Sequence, residues 1–157
     1  MTETSALERE MESREVVIIG SGPAALRAAI ACADGGTVPL LIDEFGIGSA
    51  SGSHPVAGLA ASIDEIDSKS HEEDTLELGG ETCDEEAVSR TCKQGVETLA
   101  ELERWGLALR RREGGLPHAS AAPGHKTPRL TGCGDSTVRE VTRVLEEQAI
   151  KLSLIHI

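Results

Sequence analysis

The stretch that decides the fold runs from Val16 to Glu44 and reads VVIIGSGPAALRAAIACADGGTVPLLIDE. It opens with four β-branched apolar residues in a row, which favour a strand buried on both faces of a parallel sheet. Glycines then turn the chain into an alanine-rich run that favours helix, because Ala loses no side-chain entropy there. A second apolar run ends in acidic residues. Together these segments predict one complete β-α-β unit.

The turn inside this unit has the spacing of a dinucleotide-binding loop. Gly20 would make the tight turn, Gly22 would let a pyrophosphate approach the backbone, and Ala25 would let helix and strand pack closely. The N-terminus of the helix would face the phosphates, and Asp43 is spaced to hydrogen-bond a ribose hydroxyl. The alternative is a glycine-rich turn that binds no ligand. We predict a dinucleotide site formed by Gly20, Ser21, Gly22, Pro23, Ala24, Ala25, Asp43 and Glu44.

Composition narrows the class of protein. The chain has 157 residues, enough for one domain with its own core, and only 1% of them are aromatic. The formal net charge of −12 argues against nucleic acid and against an anionic membrane surface as partners, because both attract basic surfaces. No apolar run approaches the roughly 20 residues of a membrane span. We therefore expect a soluble protein without direct membrane insertion.

The cysteines and the N-terminal residues indicate the cellular compartment of the protein. The chain has four widely spaced cysteines without a C-x-x-C pair, at Cys32, Cys83, Cys92 and Cys133. With no histidine at ligand spacing beside them, we expect no metal site. Residues 1–15 form a charged leader that lacks the apolar core of a signal peptide. Reduced thiols and this leader predict a cytoplasmic protein.

The segments after the β-α-β unit differ in character. Residues 45–55 are mostly small, which suits a loop that wraps a ligand. The apolar run over 56–63 predicts a short helix or strand, whereas 107–134 is predicted as loop or hairpin. We assign one domain to residues 16–151.

Two helices are predicted in the second half of the chain. Asp84 can cap the first, whose apolar residues recur at helical spacing. Gly95 is a point where this helix could break, and Gly106 suits its C-terminal end. Thr137 and Glu140 match the capping box S/T-x-x-E, with Thr137 as the N-cap of the last helix.

The last six residues, 152–157, carry no capping or stop signal. They resemble translated vector or sequencing-adapter sequence more than the end of a domain. We therefore expect a non-native tail and a Rossmann-type domain that is incomplete at its C-terminus.

The order of motifs along the chain is specific. After the β-α-β unit come HEEDTL over 71–76, CD at 83–84, LERWGL over 102–107, GH at 124–125, Arg129, GDST over 134–137 and QA at 148–149. This order resembles the amino-terminal part of the succinate dehydrogenase/fumarate reductase flavoprotein family, which includes L-aspartate oxidase. The similarity covers nearly the whole chain. It implies a parallel Rossmann-type sheet with helices on both faces, and FAD as the cofactor.

The resemblance also implies which residues lie near each end of the cofactor. The adenine end would lie near Gly20 and Asp43, and the flavin end near Ser53, His54, Val56, Ala57 and Gly58. In succinate dehydrogenases and fumarate reductases, a Ser-His-Thr-Val-Ala segment supplies a histidine bonded covalently to the flavin. SHPVA over 53–57 is similar, with Pro55 in place of Thr. Three interpretations of His54 stay open: a covalent link, a flavin neighbour without a bond, and a histidine on a solvated loop.

The implied activity is an FAD-dependent oxidoreductase that moves hydride between a dicarboxylate and the flavin. An iron–sulfur partner subunit is possible in such an enzyme. We predict no catalytic residue within these 157 residues and expect the chain alone to be inactive. The alternatives are an L-aspartate oxidase fragment and a stand-alone nucleotide-binding module.

Four polar residues in the matching motifs carry weaker expectations. His71 and Asp74 are expected to act structurally, through a hydrogen bond or a helix cap. His125 and Arg129 either shape the substrate side of the full protein or lie at its surface.

Overall fold

The computed structural model describes residues 13–47 and 56–152. In chain order, the strands and helices are β1 (Val17–Ile19), α1 (Pro23–Asp34), β2 (Leu40–Ile42), β3 (Leu59–Ala60), α2 (Glu65–Gly79), α3 (Glu85–Arg104), β4 (Leu130–Thr131) and α4 (Thr137–Lys151). One turn of 3₁₀ helix, Gly80–Thr82, joins α2 to α3. The predicted α/β class is confirmed.

The β-α-β unit forms as the sequence predicts. Strands β1 and β2 are parallel, with Val17 beside Leu40 and Ile19 beside Ile42. Helix α1 connects them and begins with a proline, whose fixed φ suits the first position of a helix. Leu41 packs against the core on the side of α1. One face of this sheet is therefore covered by helix.

The other face of the β1–β2 sheet differs from the prediction. Val17 is 50% exposed, Ile19 is 87% exposed and Ile42 is 49% exposed. Within residues 13–47 and 56–152, the parallel sheet has only these two strands, and no second layer covers this face. The expected strand buried on both faces, with helices on both sides of the sheet, is thus found only in part.

A second sheet pairs two distant segments. Strand β3 runs antiparallel to β4, with Leu59 beside Thr131 and Ala60 beside Leu130. The predicted helix or strand over 56–63 is therefore a strand. Residues 107–134 are mostly irregular, as expected, with a bridge between Arg111 and Pro117.

Helices α2 and α3 lie against each other, and both begin at an aspartate. The side chains of Asp64 and Asp84 accept hydrogen bonds from backbone N–H groups of the first turns. Helix α3 is continuous through Gly95, so the possible break there does not occur, and Gly106 follows its end with a φ of +109°. The sequence pattern predicts no helix at α2. Because α2 buries Ser68 and Asp74 instead of an apolar stripe, it leaves no hydrophobic periodicity.

The last helix, α4, begins one residue earlier than predicted. Ser136 is the N-cap and makes no side-chain capping bond. Thr137 is the first helical residue, and its buried hydroxyl donates to the Gly134 carbonyl at 2.6 Å and accepts from Cys133 N–H at 3.1 Å. The capping-box prediction is therefore wrong, since Thr137 stabilises the turn before the helix.

The core is aliphatic, as a chain poor in aromatic residues requires. It is formed by side chains of α1, α3 and α4 with neighbouring loops: Leu26, Ile30, Ala61, Leu99, Leu102, Leu107, Leu109, Val141, Val144, Leu145 and Ala149. Trp105 packs against its edge. Among the described residues, no helix combines the length and apolar character needed to cross a bilayer.

Candidate functional site

The predicted loop lies at the carboxyl end of β1. Gly20 has a φ of +111°, which favours glycine, and its N–H donates to the Ile42 carbonyl at 2.7 Å. This bond ties the turn to the end of β2. A Cβ on Gly20 would lie 4.0 Å from the Cβ of Ala25, so Ala25 packs directly against the turn.

The N-terminus of α1 is open to an external acceptor. Gly22 is its N-cap, no side chain among the residues that the structure describes caps it, and no acidic residue lies in its first turn. In contrast, α2 and α3 are capped by Asp64 and Asp84. The first-turn N–H groups of a helix without a side-chain cap, together with the helix dipole, favour an anion.

The acid at the end of β2 is held as a carboxylate. Asp43 Oδ1 accepts a hydrogen bond from Phe45 N–H at 2.9 Å. This bond is the main cause of a lowered Asp43 pKa; the Ser21 hydroxyl and the N–H groups of Gly46 and Ser21 lower it further, against partial desolvation. At neutral pH, Asp43 is therefore an ionised hydrogen-bond acceptor beside the glycine turn. Glu44 next to it is exposed.

The structure brings the predicted adenine-end residues together. Residues 20–25 and Asp43 meet because they follow adjacent parallel strands at the same edge of the sheet. Ser21 links the two segments: it is 0% exposed, and its hydroxyl donates to the Gly46 carbonyl at 3.0 Å.

The predicted flavin-end residues are only partly visible. Ser53 and His54 lie outside the described residues. Ala57 is exposed, whereas Gly58 is buried. A Cβ on Gly58 would lie 2.7 Å from the Thr131 carbonyl oxygen, so close packing against β4 requires this glycine. Contacts of these four residues with a cofactor stay a prediction.

A polar cluster around Arg129 was not predicted as a unit. Arg129 is 0% exposed. Its Nη1 donates to Asp74 Oδ2 at 2.6 Å and to His125 Nδ1 at 2.9 Å, and its Nη2 donates to Asp67 Oδ1 at 2.9 Å and to Ser70 Oγ at 3.2 Å. The cluster ties α2 to the loop before β4. A surface position for Arg129, one of two expectations, is therefore wrong.

Electrostatics within the Arg129 cluster are consistent with its geometry. The pKa of Asp74 is lowered, first by the Arg129 hydrogen bond and next by Lys126 N–H. Burial alone would lower the pKa of Arg129, but its bonds to Asp67 and Asp74 raise it overall. Asp74 thus has the structural hydrogen-bonding role expected from the sequence.

His71 adjoins the same cluster. Ser62 Oγ lies 3.2 Å from His71 Nδ1, and the His71 and His125 rings meet edge to face at 5.4 Å. The pKa of His71 is lowered, chiefly by burial and then by the charge of Arg129. The lowered pKa favours the neutral ring of His71, and its contact with Ser62 agrees with the structural hydrogen bond expected from the sequence.

A sequence signal for the cluster does exist. Asp67, Ser70 and Asp74 recur at helical spacing on one face of α2, so a polar stripe replaces the usual apolar one. A cavity of about 440 Å³ lies beside it, lined by Asp74, Glu77, Leu78, Gly124, His125 and Lys126. Across residues 13–47 and 56–152, no three His, Cys, Asp or Glu side chains converge as metal ligands would.

A parallel β-α-β unit with an open helix N-terminus and an ionised acid beside it defines a dinucleotide-binding α/β domain. Comparison with protein families makes this specific. The family model described as FAD binding domain matches residues 15–157, and the chain belongs to this family. FAD is accordingly its cofactor.

Curated relatives confirm the resemblance to succinate dehydrogenase and fumarate reductase flavoproteins. L-aspartate oxidase 2-a of Nicotiana tabacum is 34% identical over 144 residues, which cover 91% of this chain and 22% of the relative. A chain of the fumarate reductase (CoM/CoB) of Methanothermobacter marburgensis is 31% identical over 151 residues, covering 92% of this chain and 27% of the relative. The protein described here thus spans about a quarter of the length of the relatives it matches.

Two solved structures of similar fold superpose on this chain. Sdh1 of Mycobacterium smegmatis superposes with a TM-score of 0.84 at 27% identity, covering 90% of this chain and 24% of that chain. Quinol fumarate reductase FrdA of E. coli gives a TM-score of 0.82 at 26% identity, covering 91% of this chain and 25% of that chain.

Proposed function

We propose that residues 20–25 and Asp43 bind the ADP half of FAD in a flavin-dependent oxidoreductase that acts on a dicarboxylate. The observation that carries this proposal is the open N-terminus of α1 beside the ionised Asp43. Both chemical features match the pyrophosphate and the adenosine ribose of the cofactor.

Each part of the site has a distinct task in this proposal. The backbone N–H groups of Ala24 and Ala25 would hold the pyrophosphate, since Pro23 has no N–H to offer. Gly22 leaves room for the phosphates to approach the backbone. Asp43 accepts a hydrogen bond from the ribose, and the exposed Glu44 lies beside it.

At the flavin end, His54 has three alternative roles. Ser53, His54, Ala57 and Gly58 would lie near the isoalloxazine ring, with His54 covalently linked to it, adjacent without a bond, or solvated. Acid denaturation of the holo-protein separates these cases, because a covalent flavin stays with the precipitated polypeptide. Release of all flavin would exclude the covalent link and favour the L-aspartate oxidase alternative.

The activity and partners of the longer protein rest on its relatives. The names of these relatives, L-aspartate oxidase and fumarate reductase, support a dicarboxylate substrate. When bound, FAD would accept or donate hydride; the residues of this chain hold the cofactor and supply no acid or base to the substrate. We therefore expect the 157-residue chain alone to be inactive. An iron–sulfur partner subunit fits the succinate/fumarate type, whereas a stand-alone binding module would need neither substrate nor partner.

The proposal also includes the domain bounds and the cellular compartment. Residues 16–151 would form one FAD-binding domain, with 1–15 as a charged leader and 152–157 as a non-native tail. The four cysteines are all free, which fits a reducing compartment such as the cytoplasm.

A titration with FAD tests the binding site. Wild type and Asp43→Ala are compared with Asp34→Ala, which removes the same charge from the exposed last residue of α1. We expect Asp43→Ala to weaken FAD binding about tenfold or more, as loss of a hydrogen bond to a charged group does, and Asp34→Ala to bind as wild type. No measurable affinity in wild type would reject the assignment.

A further inference from the structure

The serine between the two glycines of the turn does not face the ligand side of the loop. Ser21 is 0% exposed. Its hydroxyl points away from solvent and donates to the carbonyl of Gly46 at 3.0 Å. A fully buried hydroxyl cannot contact a phosphate, so any effect of this side chain on the cofactor must be transmitted through other residues.

The hydroxyl of Ser21 bonds to the segment that follows β2. Its acceptor is the Gly46 carbonyl, and the same hydroxyl contributes to the lowered pKa of the Asp43 carboxyl on that segment. The bond to Gly46 therefore joins the phosphate-binding turn to residues 43–46. The segment itself is closed by the bond from Phe45 N–H to Asp43 Oδ1 at 2.9 Å.

We infer that Ser21 is a positioning residue that holds segment 43–46 against the glycine turn and thereby fixes Asp43 for the ribose of the cofactor. This inference rests on the proposed function. It assigns Ser21 a task separate from that of its neighbours in the turn, which act through backbone N–H groups or through the absence of a side chain.

The physical basis is preorganisation. Residues 43–47 follow β2 without regular secondary structure, so Asp43 can hold one position only if other contacts fix this segment. Without the Ser21 hydroxyl, part of the binding energy is spent in ordering the segment when the ligand arrives. Loss of one such hydrogen bond corresponds to a roughly 5- to 10-fold weaker FAD affinity.

A double-mutant cycle with FAD as the probe tests this inference on the full 157-residue chain. The variants are Ser21→Ala, Asp43→Ala and the pair, and Ser62→Ala is the control. Ser62 is also 0% exposed and also uses its hydroxyl in one hydrogen bond, to His71. Ser21→Cys, which retains the volume but donates weakly, replaces Ser21→Ala if the latter does not fold.

We expect Ser21→Ala to weaken FAD binding about 5- to 10-fold in wild type and less than about 2-fold in the Asp43→Ala background, because the two residues act through one contact. Ser62→Ala should lower the melting temperature as much as Ser21→Ala while leaving FAD affinity unchanged. An unchanged affinity for Ser21→Ala, or an equal loss in both backgrounds, would overturn the inference and leave the binding site itself intact. Failure of wild type to bind FAD would instead reject the proposed function, and this inference with it.

Discussion

Arg129 and Asp74 form a buried ion pair in which Nη1 lies 2.6 Å from Oδ2, and the two side chains are 0% and 1% exposed. A second carboxylate, that of Asp67, lies 2.9 Å from the other terminal nitrogen of Arg129. A single guanidinium therefore neutralises two acids of α2 and joins this helix to the segment before β4. Its removal would take this partner from both carboxylates and leave Asp74 beside the more distant Lys126 ammonium, 3.9 Å from its Oδ1.

The first prediction concerns the stability that depends on Arg129. Arg129→Ala should reduce the free energy of unfolding by about 3–5 kcal/mol, because breaking a buried pair leaves unpaired buried charge. Arg90→Ala is the matched control: its pair with Glu86 is exposed and 3.8 Å long, so its loss should cost less than about 1 kcal/mol. Urea denaturation measures both. Equal effects for the two variants would contradict a structural role for the cluster.

We expect the loss of stability at acidic pH to depend on the same Arg129–Asp74 pair. The Arg129 hydrogen bond, followed by Lys126 N–H, lowers the pKa of Asp74 below its ordinary value of 3.8. The folded state therefore favours the carboxylate, and this contribution is complete above that value and is lost as the pH falls below it. As the pH is lowered from about 5 to about 3, the urea concentration at the unfolding midpoint should fall steeply in wild type and less steeply in Arg129→Ala. Identical slopes would exclude Asp74 as a source of the acid sensitivity.

We predict that His71 gives the stability of the fold a second, weaker dependence on pH. Burial, and then the charge of Arg129, lowers its pKa from the ordinary 6.5. The unfolded chain binds this proton more readily, so stability is greatest above that value and declines as the pH falls through the folded pKa. His71→Asn should flatten the stability profile between about pH 7 and about pH 5, whereas the exposed His118→Asn should retain the wild-type profile. A profile for His71→Asn that follows wild type would disprove this origin.

Two glycines should respond oppositely to the same substitution. Gly95 lies inside α3, and a Cβ there would meet nothing within 4 Å. Gly95→Ala should therefore raise the free energy of unfolding by roughly 0.5–1 kcal/mol through helix propensity. Gly58→Ala should lower it by about 1–3 kcal/mol, since the new Cβ would lie 2.7 Å from the Thr131 oxygen. Thermal or urea denaturation of the two variants measures both signs, and a stabilising Gly58→Ala would contradict the packing.

The features predicted correctly from the sequence depend on local signals. The β-α-β unit, the cap at Asp84 and the helix end before Gly106 are each encoded within a few residues. The meeting of Gly20 and Asp43 also follows from the sequence, because adjacent parallel strands place their carboxyl ends at one edge. These parts of the fold and site depend either on a few neighbouring residues or on the regular geometry of the β-α-β unit that those residues encode.

The features missed depend on contacts between distant segments. The sequence pattern does not predict helix α2 because its buried side chains, Ser68 and Asp74, are polar, and Arg129, the partner of Asp74, lies more than fifty residues away in sequence. The contact of Ser21 with Gly46 likewise depends on how the segment after β2 folds back. Thr137 matched a capping box but stabilises the preceding turn, since its hydroxyl bonds Gly134. A linear pattern does not specify these partners.

The open face of the β1–β2 sheet yields the last prediction. Ile19 is 87% exposed there, whereas Ile30 on α1 is 1% exposed. Ile19→Thr retains a β-branched residue suited to a strand and should change the free energy of unfolding by less than about 0.5 kcal/mol, while Ile30→Thr should cost several times more by burying a hydroxyl in the core. A hydrophobic dye such as ANS should bind wild type and bind Ile19→Thr less, since the substitution interrupts a contiguous apolar face. A large loss of stability for Ile19→Thr would mean that this face is packed in solution, contrary to the structure.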